Sequence, residues 1–149
     1  MSTFLPLLLP RQIYDAMLQH ALSDEPNECC GLLSGRTSTN RICVQTRWPL
    51  LNALSSPAAY SVDSRLLVNA FKAMRTKSED LVAIYHSHPT SEAIPSRFDH
   101  ADRNYGPHIA CVIISLAGKS PTLRAWSLDQ NRHLEWNWQL LDDSQRIED

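Results

Sequence analysis

Apolar residues along this chain recur in two periods, and the two alternate from one end to the other. Phe4 to Leu9 is a short apolar run, after which Ile13, Met17 and Ala21, joined by Tyr14 and Leu18, recur at spacings of three and four. That spacing predicts a helix opened by Pro10 and running to about Ser23, with Ser23-Asp24-Glu25-Pro26-Asn27 ending it. Glu28-Cys29-Cys30-Gly31-Leu32-Leu33 reads as a strand with Glu28 at its entrance, Gly35 to Asn40 as a loop, and Arg41 to Trp48 as an antiparallel neighbour. Pro49 to Pro57 is irregular and carries Asn52; Ala59 to Val62 reads as a short strand. Asp63 is placed to cap a second helix, in which Leu67, Ala70, Phe71 and Met74 form a core-facing stripe.

Leu81-Val82-Ala83-Ile84-Tyr85 is then bounded by Glu79-Asp80 before and by Pro89 after the next three residues, which predicts a buried strand. Ser96 opens a third helix to about Tyr105, and His108 to Ser115 is a further apolar strand. Thr122 to Leu128 follows, then a turn at Asp129-Gln130-Asn131, then Leu134 to Leu140 with strict alternation. The alternation places Leu134, Trp136, Trp138 and Leu140 on one face, large enough to close a core or to meet a second copy as a homodimer. Interleaved strands and helices that end in a hairpin argue for an α/β fold, a mixed β-sheet flanked by helices. One domain over residues 1–141 and a polar tail over 142–149 are expected.

Composition changes this picture little. With 14 basic against 16 acidic residues and no Lys/Arg cluster, neither nucleic acid nor a membrane surface is the expected partner. No run approaches the ~20 residues of a membrane-spanning helix, and the first apolar run is too short and too broken by proline for a secretion signal. Cys29, Cys30, Cys43 and Cys111 lack the spacing of a structural zinc site and read as reduced core thiols, so a cytoplasmic location is expected.

The chemistry lies after the buried strand. Side chains two apart on a strand share a face, so His86 and His88 present both imidazoles to one side and Ser87 to the other. A catalytic zinc takes three protein ligands and leaves a position open, so a third ligand is expected just downstream. Asp99 stands three residues past Ser96, where it either closes a capping box or turns inward to the metal. Asp102 reads as a solvated carboxylate, since a fourth ligand would close the open position.

His86-Ser87-His88-Pro89, followed by Ser96 and Asp99, resembles the signature of the JAMM (MPN-plus) metalloproteases. Glu28 stands where that family has an upstream glutamate. Asn52 through Asp63 and Ala83-Ile84-Tyr85 resemble the family's small bacterial branch, and the likeness runs from about residue 12 to 127. The resemblance implies an α/β/α sandwich similar to the cytidine deaminases. It also implies one zinc ion held by His86, His88 and Asp99, with Glu28 as the general base and Ser96 as a hydroxyl donor to the substrate carbonyl. Asn52 and Glu92 are candidate substrate contacts.

The resemblance further implies cleavage after the C-terminal Gly-Gly of a ubiquitin-like sulfur-carrier protein, either trimming its tail or releasing a cysteine adduct. Short connections leave no room for the long insertions of the eukaryotic deubiquitinating members. An isopeptidase, a hydrolase of small amides, and a non-catalytic MPN scaffold are the alternatives.

Overall fold

The computed structural model describes residues 4–100 and 105–142. Its elements in order are β1 (Leu7–Pro10), α1 (Arg11–Asp24), β2 (Cys30–Thr37), β3 (Ile42–Leu50), α2 (Ser64–Thr76), β4 (Asp80–His88), α3 (Arg97–His100), β5 (Ala110–Ser115), β6 (Thr122–Asp129), β7 (Arg132–Trp136) and β8 (Trp138–Leu141). The eight strands form one sheet in the order β7-β6-β5-β4-β2-β3-β1-β8. Three pairs are parallel (β4 with β5, β1 with β3 and β8) and four antiparallel, so the expected mixed sheet with helices on it is present.

β7 and β8 stand at opposite edges of the sheet, yet only Asn137 separates them in the chain. The sheet must therefore curl until its two edges meet. Trp136 stacks on Phe4 at 4.4 Å and donates its indole N–H to Leu5 O, and the Asn137 carbonyl accepts from Leu7 N–H, so the join is held from both sides. The alternation from Leu134 to Leu140 predicts one strand, and here the structure corrects it. The backbone breaks at Asn137, Trp136 and Trp138 turn inward, and Leu134 is left 65% exposed on the β7 edge. Period two specifies a face only while one strand stays in one sheet.

Two apolar clusters lie on the two faces. α1 packs Met17 and Ala21 with Leu7, Leu9, Leu33, Val44, Tyr85, Val112 and Trp136 inside the curl. α2 packs Ala70 and Met74 on the other face with Leu32, Ile84, Cys111, Ile113 and Trp126. Asp63 caps α2 as expected, accepting from Arg65 N–H at 2.8 Å. The four cysteines are buried and none is in a disulfide. Ala59 to Val62 does not form the expected strand; the Ala59 carbonyl and Ser61 N–H bond to a side chain, as described below, and the Ser61 carbonyl accepts from Ala53 N–H.

β2 runs on through Thr37, beyond its expected end, by way of a bulge between Ser34 and Gly35. At that bulge the β3 backbone comes so close that a Cβ on Gly35 would collide with the carbonyl oxygen of Cys43. Backbone cannot step aside as a side-chain tip can, so Gly35→Ala is expected to cost about 3 kcal/mol, at the upper end for overpacking. Urea unfolding of the variant against the native protein measures it.

The third helix is brief over the described residues. Its expected continuation toward Tyr105, together with Asp102, lies outside them, as does the tail from residue 143.

Candidate metal centre

The site forms at the carboxyl end of β4, on the face that carries α2. The β2–β4 register sets Cys30 opposite His86, and Ile84, His86 and His88 share the face with Leu32. Continuing that antiparallel register past Cys30 brings Glu28 beside His88. Ser87 faces away and ties the strand ends together: its hydroxyl accepts from Cys29 N–H at 2.8 Å, and its N–H donates to Cys29 O at 3.1 Å. Burial pushes the Cys29 thiol up to about 12, so it stays protonated and takes no part as a thiolate.

His86 Nε2, His88 Nε2 and one carboxylate group converge. The two Nε2 atoms are 3.2 Å apart, Asp99 Oδ1 lies 3.0 Å from His86 Nε2, and Oδ2 lies 3.1 Å from His88 Nε2. All three side chains are buried. Asp99 performs both tasks between which the sequence left a choice. Its Oδ2 accepts from Ser96 N–H at 2.8 Å while its own N–H donates to Ser96 Oγ at 3.2 Å, a complete capping box, and the same carboxylate faces both imidazoles.

His88 Nδ1 lies 2.7 Å from the carbonyl oxygen of Glu92, which can only accept, so Nδ1 carries the proton. In a neutral imidazole Nε2 then offers a lone pair, and that lone pair points at a carboxylate oxygen. Lone pair against lone pair is repulsive unless a proton or a cation sits between them. Burial pulls the His88 pKa down, but its hydrogen bonds to Asp99 and to the Glu92 carbonyl outweigh this and raise it. Burial likewise pushes Asp99 up, but the charge and hydrogen bonds of the two histidines hold its carboxyl well below the usual range.

A tetrahedral zinc with bonds of about 2.0–2.1 Å sets its ligand atoms about 3.3 Å apart. Separations of 3.0–3.2 Å between these three are close to such an edge, so the donor set fits a small divalent ion in size as well as in charge. Glu28 is not among the converging atoms; it is 4% exposed on the same face.

The two expected substrate contacts, Asn52 and Glu92, sit in different surroundings. Asn52 is buried, and its amide bonds only to backbone: Nδ2 donates to Glu28 O and Ala59 O at 3.0 Å, while Oδ1 accepts from Leu54 N and Ser61 N at 3.1 Å. Both donors and both lone pairs are thus used inside the protein, leaving none for a substrate. Glu92 serves through its carbonyl, on His88, while its side chain is exposed.

Sequence reasoning missed the residues that hold the metal loop. Ser115 Oγ donates to Ser91 O at 2.6 Å, Trp126 Nε1 donates to Ala93 O at 2.8 Å, and the Tyr60 ring lies 5.1 Å from the His86 ring. A cavity of about 370 Å³ is lined by Cys30 and Tyr60, two neighbours of His86, and by Leu32, Val62, Leu67 and Tyr105 among others; His86, His88, Asp99 and Glu28 do not line it. Three of the four histidines outside the site have other partners: His20 Nδ1 meets Tyr85 Oη at 2.7 Å, and His100 meets His133 at 2.9 Å.

Prokaryotic homologs of the JAB domain match residues 10–129, which include every strand from β2 to β6 and all the site residues. The chain belongs to the prokaryotic JAB family. Its resemblance to the JAMM family is borne out. This JAB chain is 38% identical over 98 residues to a CysO-cysteine peptidase of Mycobacterium tuberculosis, a match spanning 66% of each chain, just under two-thirds of that relative's length. It is 32% identical over 133 residues to a desampylase of Haloferax volcanii, covering 86% of this chain and 93% of that one. A solution structure of a Desulfitobacterium hafniense protein superposes with a TM-score of 0.82 at 32% identity, covering 92% of this chain and 94% of that one. Among the described residues no helix is long and apolar enough to cross a membrane.

Proposed function

We propose that the protein is a zinc-dependent peptidase that cuts the bond following the C-terminal Gly-Gly of a ubiquitin-like sulfur-carrier protein, removing a short extension or a cysteine adduct. The observation that carries this reading is the donor set: two imidazole nitrogens and a carboxylate converging at 3.0–3.2 Å, with the spacing and charge that suit a small divalent cation. Relatives that are a CysO-cysteine peptidase and a desampylase support the substrate class.

His86, His88 and Asp99 hold the metal. Zinc bound there supplies a Lewis acid and brings the pKa of water down toward ~7. Glu28 takes the proton from the attacking water and returns it to the leaving amine; a buried carboxylate beside the ligands, but not one of them, is suited to both transfers. Ser96 Oγ accepts from Asp99 N–H, which turns its own O–H outward to donate to the carbonyl oxygen as negative charge develops there. The cavity reached past Tyr60 is the candidate path for an extended tail toward the metal.

The test is the intact mass of a sulfur carrier extended by a few residues beyond Gly-Gly, after incubation with zinc-loaded protein. Loss of the extension alone is expected. An unchanged carrier, with small peptide amides cleaved instead, would move the substrate class away from carriers.

Ser96→Ala is expected to lower kcat by roughly 10²-fold, as for removal of one oxyanion donor, with KM little changed because the bond strengthens only in the transition state. Steady-state kinetics at saturating zinc measures it.

A further inference from the structure

The loop between β3 and α2 has no regular structure, yet it carries Tyr60, whose ring lies against the His86 imidazole. A histidine that binds metal through one nitrogen is normally oriented by a hydrogen bond from the other. His88 has such a bond, to Glu92 O. His86 Nδ1 is buried with no hydrogen-bond partner among the described residues. On its ring face His86 meets Tyr60, at 5.1 Å with the planes tilted by 31°.

Tyr60 is in turn held by Asn52. Nδ2 bonds to the carbonyl of Ala59, just before Tyr60, and Oδ1 to the N–H of Ser61, just after it. The second Nδ2 proton goes to the carbonyl of Glu28, and Glu28 N–H donates to Ser56 O in the same loop. Every partner of Nδ2 is a carbonyl and every partner of Oδ1 an N–H, so the amide has one workable orientation.

We infer that Asn52 is a positioning residue: its one side-chain amide joins the backbone of the Glu28 base to the Tyr60 segment that orients His86, so base and ligand keep a fixed relation. This rests on the proposed metal reaction but extends to residues that touch neither metal nor substrate. The Tyr60 segment also walls the cavity, so a tail bound there presses on the element packed against the ligand.

Asn52→Asp keeps the acceptor oxygen and the shape but removes both donors. Tyr60→Leu removes the ring and leaves the clamp, and it decides the matter if Asn52→Asp does not fold. Zinc affinity by chelator competition and the visible spectrum of the cobalt-loaded protein are measured on folded, monodisperse variants. Each variant is expected to bind zinc about 10-fold more weakly, the usual scale for a group that supports a metal ligand, and to show a shifted cobalt band. A merely structural role would reduce the folded fraction and the metal stoichiometry without changing the affinity or band of what remains. Native affinity and an unshifted band in a folded variant overturn the inference. Since neither readout uses a substrate, that failure is separate from failure of the peptidase reading, in which the native protein binds zinc but cuts no carrier.

Discussion

Glu28→Gln is expected to slow peptide hydrolysis by roughly 10²- to 10⁴-fold, the range over which a positioned general base acts. The substitution preserves volume and one carbonyl oxygen, so packing around this buried position is little disturbed. Glu28 is outside the three converging ligand atoms, so the variant should still take up metal. What it loses is a group able to accept the proton of the attacking water and return it to the leaving amine. Single-turnover rates and metal content on the same preparation check this, and a native rate with metal bound would remove Glu28 from the reaction.

Asp99→Ala is expected to abolish metal uptake and to lower activity by roughly 10³-fold or more, the equivalent of several kcal/mol of charge stabilisation. It also removes the acceptor for Ser96 N–H, so the start of α3 should loosen by about 1 kcal/mol, as for a lost cap. Asp99→Asn separates the two effects, because an amide oxygen can still accept at the cap while the charge facing two imidazoles is gone. Metal content by elemental analysis and thermal unfolding of the two variants read the effects independently.

The metal-free protein should respond to pH through the same pair. His88 has a folded-state pKa above its ordinary value near 6.5, so the stabilisation it brings is fully present below that value and is lost as pH rises through the folded one. Asp99 is shifted down, so its contribution is present above the usual carboxylate range and is lost only in strong acid. Without metal, stability is therefore expected to fall as pH rises past neutrality. With zinc in place of the proton, that loss should disappear.

Much of this site is legible in the chain because its parts are local. A two-residue spacing on a strand sets His86 and His88 on one face, and a three-residue spacing after a cap sets Asp99 at the place where a capping box closes. Glu28 at the entrance of the neighbouring strand follows from the same pattern of elements. The sheet's closure was not legible, because a strand that changes edges at Asn137 has the same alternation on both sides of the break. The surroundings of Asn52 were not legible because its four partners belong to backbone at Glu28, Leu54, Ala59 and Ser61, and no local period brings those together. The Tyr60–His86 and Trp126–Ala93 contacts likewise join residues 26 and 33 positions apart, each between a strand and a loop without regular structure.

The measurement that bears most directly on the metal centre is anomalous diffraction at the zinc absorption edge from crystals of zinc-loaded protein. One strong peak about 2.0–2.1 Å from His86 Nε2, His88 Nε2 and an Asp99 oxygen is predicted, with a fourth position open to solvent. No peak there, or a peak held by other residues while the protein remains active, would contradict it.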